Sequence, residues 1–199
     1  MSENIFTSAI DLFSQHLKSR IDLDANFIVN SQESLLVFLF GLAIIKVRPD
    51  VSNNIYIDYP LGATEGSRIK IDVYIDPCYY LEMKYVRPIP SEMNLPLPQH
   101  RGTLINDLVK IATVTPIQSL KYLLLIANEN FVKHISRKTG FPLNDKSWEG
   151  RIGELVTVKT ESNQIKFNFP KDLKVKMRLT KSSNIYSLYA VLWNISFHE

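Results

Sequence analysis

The chain has 199 residues, 45% hydrophobic and 22% charged, with a single cysteine, Cys78. That balance fits one globular domain with its own core, excludes a disordered or collagen-like chain, and leaves no internal disulfide or cysteine-based zinc site. Net charge is only +3, yet residues 1–100 hold 8 Lys/Arg against 12 Asp/Glu (−4) and residues 101–199 hold 15 against 8 (+7), an asymmetry expected of an acidic site in one half and a polyanion-facing surface in the other.

The N-terminal stretch "MSENIFTSAIDLF" has no basic n-region and no small-residue cleavage site, so it does not read as a signal peptide. Ile5, Ile10, Phe13, Leu17 and Ile21 recur at helical spacing and predict a helix over about 4–20. A second helix is expected from Asn30 or Ser31 to about Val47, stopped by Arg48-Pro49. Its apolar run "LLVFLFGLAII" is eleven residues long, short of the roughly 20 that cross a bilayer. With no membrane segment and a reducing environment as the default for a lone cysteine, the expected location is the cytoplasm.

Three β-rich runs follow, 54–60, 68–75 and 79–86, then a proline-rich loop over 87–102. Residues 103–114 have helical periodicity, "SLKYLLLIAN" (119–128) is the continuous apolar run of a buried strand, and a helix is expected near 129–138. "LVTVKT", "IKFNFP" and "LKVKMRLT" read as further strands; "IYSLYAVLWNISF" fits helix or strand, and its aromatic and β-branched content favours strand. The order predicts a mixed α/β domain spanning 1–199, with a central β-sheet flanked by helices and additional C-terminal β strands.

The chemistry concentrates in "RIKIDVYIDPCYYLEMKYVRP" (68–88). Alternation puts Ile69, Ile71, Val73 and Ile75 on one face of the first strand and Lys70, Asp72 and Tyr74 on the other; in the second, Tyr80, Glu82 and Lys84 share a face. A three-residue connection, Asp76-Pro77-Cys78, would pair Ile75 with Tyr79 and set Asp72 opposite Glu82. Directly opposed residues have Cβ atoms about 4.5–5.5 Å apart. Two carboxylates at that separation repel unless a cation lies between them, and Mg²⁺ takes one or two carboxylates together with water and substrate phosphate. Lys84 points to the same side, where an ammonium orients water and steadies charge building on phosphorus oxygens. Read blandly, the three groups are a solvated sheet face with Glu–Lys pairing. Asp58 is a rival ligand or a turn former near a strand end.

Asp72 on one strand and Glu82-Met83-Lys84 on the next, nine residues between the acids, resemble the active-site pattern of the PD-(D/E)XK nuclease superfamily, to which many restriction endonucleases and Holliday-junction resolvases belong. Ile71 stands where that pattern has proline. The resemblance covers about residues 30–128, leaving 129–199 as a β-rich C-terminal part of the same domain. It implies a restriction-endonuclease-like fold and a Mg²⁺-dependent DNA nuclease (Mn²⁺ substituting). In it Asp72 and Glu82 bind metal and Lys84 serves catalysis. Glu33 of "NSQESLLVFLF" assists from an upstream helix, unless Asn30 and Glu33 form a capping box instead. The helix after the second strand, "PQHRGTLINDLVKIA", offers Gln99, Arg101, Asp107 and Lys110, and Arg87, Gln99, Arg101 and Lys110 are the expected substrate contacts. Restriction and resolvase analogues imply a homodimer. The alternative is a non-catalytic nucleic-acid-binding or assembly protein that keeps the fold. A second acid-x-Lys triplet, Asp172-Leu173-Lys174, has no acid across a preceding hairpin, and Lys174, Lys176 and Arg178 line one strand face, suited to a DNA backbone or to protecting a sheet edge.

Overall fold

The computed structural model describes residues 5–61, 69–88, 97–155, 164 and 172–198. The runs "GATEGSR" and "IKFNFP", most of "LVTVKT" and part of the proline-rich loop lie outside them. Seven strands form one sheet in the order β1-β2-β3-β4-β7-β6-β5: β1 (Ile55–Pro60), β2 (Lys70–Ile75), β3 (Tyr79–Tyr85), β4 (Leu120–Asn128), β5 (Ser147–Arg151), β6 (Lys174–Ile185) and β7 (Leu188–His198). Every neighbouring pair is antiparallel except β3–β4. A parallel pair needs a crossover, and helix α4 (Leu97–Val114) supplies it. The expected mixed α/β sheet flanked by helices is therefore present.

The two faces of the sheet carry separate apolar clusters. Helices α1 (Ile5–Leu23) and α3 (Glu33–Val47) pack on one, burying Phe6, Ile10, Phe13, Leu36 and Phe40 against Val73, Leu81 and Leu124. Helices α4 and α5 (Glu129–Thr139) pack on the other, where Leu104, Leu108 and Phe131 meet Leu123, Leu125 and Trp193. Strand β4, covered on both sides, is buried from Lys121 to Ala127, which is why it reads as an unbroken apolar run. Lys121 within it donates from Nζ to the carbonyls of Pro116, Ile117 and Ser119 at 2.6, 3.1 and 3.2 Å. It thereby anchors the turn that joins α4 to the sheet.

Several boundaries differ from expectation for identifiable reasons. The second helix, α3, begins at Glu33 and ends at Val47 as expected, and a short unanticipated helix α2 (Phe27–Asn30) precedes it, the two kept apart because Ser31 turns extended (ψ 147). Helix α4 starts at Leu97, so the proline-rich stretch is not structureless to its end; Pro98 falls in the first turn, where its missing N–H costs nothing. The ambiguous C-terminal segment is strand β7, favoured because it pairs along its whole length with β4 and β6. Strand β5, "SWEGR", was not legible: it holds no apolar alternation, and Gly150 sits under the Trp148 ring, where an added Cβ would lie 2.5 Å from the indole. A short helix, α6 (Ile152–Leu155), continues from it. Among the described residues no helix is long and apolar enough to cross a membrane.

Candidate functional site

The hairpin of β2 and β3 has the anticipated register. Ile75 pairs with Tyr79 and Val73 with Leu81 across the Asp76-Pro77-Cys78 connection, so the next opposed position belongs to Asp72 and Glu82. The ladder stops there. Beyond it β2 stays paired with β1 out to Lys70↔Pro60, while β3 stays paired with β4 out to Tyr85↔Ile126. The sheet forks between the two acids. In the fork the Asp72 carboxylate accepts a hydrogen bond from the Met83 N–H at 2.7 Å, standing in for the missing strand partner.

The fork also breaks the side-chain alternation assumed for β2. Ile71 belongs to the cluster under α4, whereas Val73 and Ile75 belong to the cluster under α1 and α3. Opposite Asp72 in register, between paired Ile57 and Tyr59, Asp58 takes a left-handed backbone (φ 52) and is exposed. That flip puts Tyr56 and Tyr59 on one face, both against the Tyr74 ring at 5.8 and 4.4 Å between centroids, with Tyr80 4.8 Å beyond. Asp58 is thus a kink in mid-strand rather than a turn former at its end.

Glu82 is 1% exposed. One oxygen, Oε2, lies 2.5 Å from Lys110 Nζ of α4; the other, Oε1, is buried without a hydrogen-bond partner. A buried carboxylate oxygen left unpaired is expensive. Lys84 Nζ is held by Glu33 at 3.0 Å and lies 3.9 Å from Asp107 of α4. Glu33 also accepts from the Tyr85 N–H at 2.6 Å, so the N-terminus of α3 is tied to the end of β3. The capping-box reading of Glu33 fails: Asn30 closes α2, the residue preceding α3 is Gln32 with no side-chain cap, and the Glu33 carboxylate is spent on Lys84 and Tyr85.

Four carboxyl groups (Glu33, Asp72, Glu82, Asp107) therefore share a site with two ammonium groups (Lys84, Lys110), and part of the excess negative charge is met by protons. The electrostatics carry the same sign. Burial, reinforced by Asp72, pushes the Glu82 carboxyl well above its usual range. Burial raises Asp72 against the pull of Lys110, and lifts Asp107 to about 7 against the pull of Lys84 and Lys110. For Lys84 burial opposes the charge, but Asp107 and Glu33 outweigh it and hold the ammonium form. Among the described residues no three His, Cys, Asp or Glu side chains converge as a ready-made metal-binding group; the two lysines stand among the carboxylates instead. The donor chemistry fits a hard divalent cation, with Asp72 and Glu82 the residues that would hold it.

The expected substrate contacts scatter. Lys110 is inside the site. Arg87 donates to the Ser31 carbonyl at 3.0 Å, two residues from Glu33, and so stands at the rim. Gln99 is exposed in the first turn of α4. Arg101 is buried, its Nη1 3.5 Å from His134 Nε2 of α5, which directs it along the α4–α5 contact. By sequence Asp107 is only one polar residue among several on its helix. Its spacing from Lys110, three residues along one helix face, was the signal that both belong together. The triplet Asp172-Leu173-Lys174 lies far from this site at the β5–β6 side, Asp172 exposed and 3.5 Å from Arg151. The basic residues Lys174, Lys176 and Arg178 are exposed and alternate with buried Val175 and Met177. They do not protect an edge, because β6 runs between β5 and β7.

Compared with known proteins, the chain matches no family, no curated protein and no solved structure.

Proposed function

We propose that the protein is a divalent-metal-dependent nuclease of the PD-(D/E)XK type acting on DNA, on a restriction-endonuclease-like variant of its mixed sheet. The observation that carries this reading is the forked hairpin. It sets Asp72 beside Glu82 at the point where the ladder opens, with Lys84 two residues on, and leaves a fully buried Glu82 oxygen without a partner. Asp72 and Glu82 hold the ion; Glu33 and Asp107 fix the Lys84 ammonium beside it. Mg²⁺ there supplies Lewis acidity and an activated water. Lys84, kept charged, stabilises the negative charge that builds on the phosphoryl oxygens, and Arg87 at the rim offers a phosphate clamp. The setting is cytoplasmic in this reading, with Cys78 a thiol. The test is cleavage of supercoiled plasmid, single-stranded DNA and a four-way junction with Mg²⁺ or Mn²⁺ and with EDTA. Metal-dependent cutting of any of them is expected; none on all three would sink the nuclease.

Cutting both strands is simplest with two sites, and a homodimer is part of the proposal. Supporting it, Leu35 (39% exposed), Phe38 (52%) and Leu42 (44%) form an apolar stripe on the outer face of α3, continued by Ile45. The spacings of three, four and three are palindromic, so an antiparallel second copy would set Phe38 on Leu42 and exposed Lys46 near the acidic start of α3. Phe38→Glu is expected to halve the mass seen by sedimentation; an unchanged wild-type monomer would dispose of the dimer.

One observation favours the non-catalytic binder: the exposed basic row Lys174, Lys176 and Arg178 lies on the sheet face opposite α4, away from the fork. Such a protein would bind DNA in a salt-sensitive way without any metal-dependent stabilisation.

A further inference from the structure

We propose that Lys110 is the built-in counter-ion of the site, its ammonium occupying in the unloaded protein the space between Asp72 and Glu82 that a divalent cation takes, so that loading requires the side chain to be displaced. This rests on the metal-dependent reading above and says how that site is kept when empty of metal.

The two lysines of the site are held differently. Lys84 lies between Glu33 and Asp107 on two different helices, and Glu33 is itself fixed by the Tyr85 N–H. It is anchored from two directions. Lys110 makes one ion pair, to Glu82 Oε2 at 2.5 Å, and only 15% of its side chain is exposed. The charged groups that act on it are carboxylates: Glu82 of β3, Asp107 one turn earlier on α4, and Asp72 of β2.

Glu82 is the residue both cations need. Its Oε1 has no partner and its Oε2 has Lys110, so a metal ion seated on Glu82 and Asp72 would lie within ion-pair range of the ammonium. Like charges at roughly 4 Å in a poorly solvated site repel strongly. One of the two must leave. Lysine is a compact charge on a flexible four-carbon stem, able to swing without moving the helix that bears it. Without Lys110 the empty site would leave Glu82 buried beside Asp72 with no ion-pair partner, which destabilises a folded protein. Lys110 thus serves the empty state, while Lys84 serves both.

The test uses the full chain without substrate. Mn²⁺ binding is measured by calorimetry on wild type and Lys110→Met, and lysine accessibility is mapped by amine-reactive labelling and mass spectrometry with and without Mn²⁺. Lys121, buried among carbonyls in the same sheet, is the internal control. The expected results are a several-fold rise in Lys110 labelling on adding Mn²⁺, none at Lys121, and binding to Lys110→Met about tenfold tighter or more, the charge competitor being gone. Binding to Lys110→Met alone would support the proposal in its strongest form. Mn²⁺ binding to wild type with Lys110 as protected as before would overturn the proposal and leave the nuclease reading standing. Absence of binding to either protein would remove both.

Discussion

Alanine at Lys84 is expected to leave a folded protein whose metal-dependent cleavage is about 10²–10³-fold slower, the usual cost of deleting one preorganised group that meets developing charge. The reasons are local. The ammonium is kept charged by Asp107 and Glu33 despite its burial, and both partners hold it without help from substrate. Among the described residues no other ammonium is held by Glu33. Removing it also strands Glu33, which still has the Tyr85 N–H, so the fold should lose less than the reaction does. Rates on the preferred substrate, with circular dichroism as the check on folding, decide it. Equal cleavage by wild type and Lys84→Ala would place the activity at another centre.

The second large effect is on pH. An acid whose folded pKa lies above its unfolded value holds a proton in the folded state that the unfolded chain has already lost. Between the ordinary 3.8 and about 7 for Asp107, stability must therefore fall as pH rises, by at most about 1.4 kcal/mol per unit. Asp72 and Glu82, raised by the same burial, add to the same slope. The metal-free protein is thus expected to be less stable at about pH 8 than at about pH 5, and Asp107→Asn should flatten the difference. Urea denaturation in EDTA at both pH values measures it, and a wild-type protein equally stable at the two would refute this electrostatic account. Divalent cations should reverse the trend. They bind the ionised carboxylates and release the protons, so Mn²⁺ affinity should climb with pH until the raised carboxyls of the site are ionised.

The local pattern told a good deal about this chain. Residues alternating in "RIKIDVYI" and "YYLEMKYV" were enough to pair Ile75 with Tyr79, because a short hairpin's register follows from its loop length, although the ladder ends one step before Asp72 and Glu82. The continuous apolar run of β4 announced a strand covered on both faces. Alternation failed where the pairing itself fails: at the fork Ile71 crosses to the α4 side, and at Asp58 a left-handed residue turns the strand over. Neither departs from any residue preference visible in the string.

By itself, the sequence determined most of the long elements, the hairpin register that makes Asp72 and Glu82 the next opposed positions, and the lysine two residues on, since these depend on periods of two and 3.6 along a continuous segment. Only the tertiary structure decided how those charges are balanced. Glu33 is a ligand of Lys84 rather than a cap because the start of α3 abuts the end of β3. Arg101 turns along α5 while Lys110 enters the site, although both lie on one helix. Helical period alone puts these two on opposite faces of α4; which face enters the site was decided by packing between segments far apart in the chain.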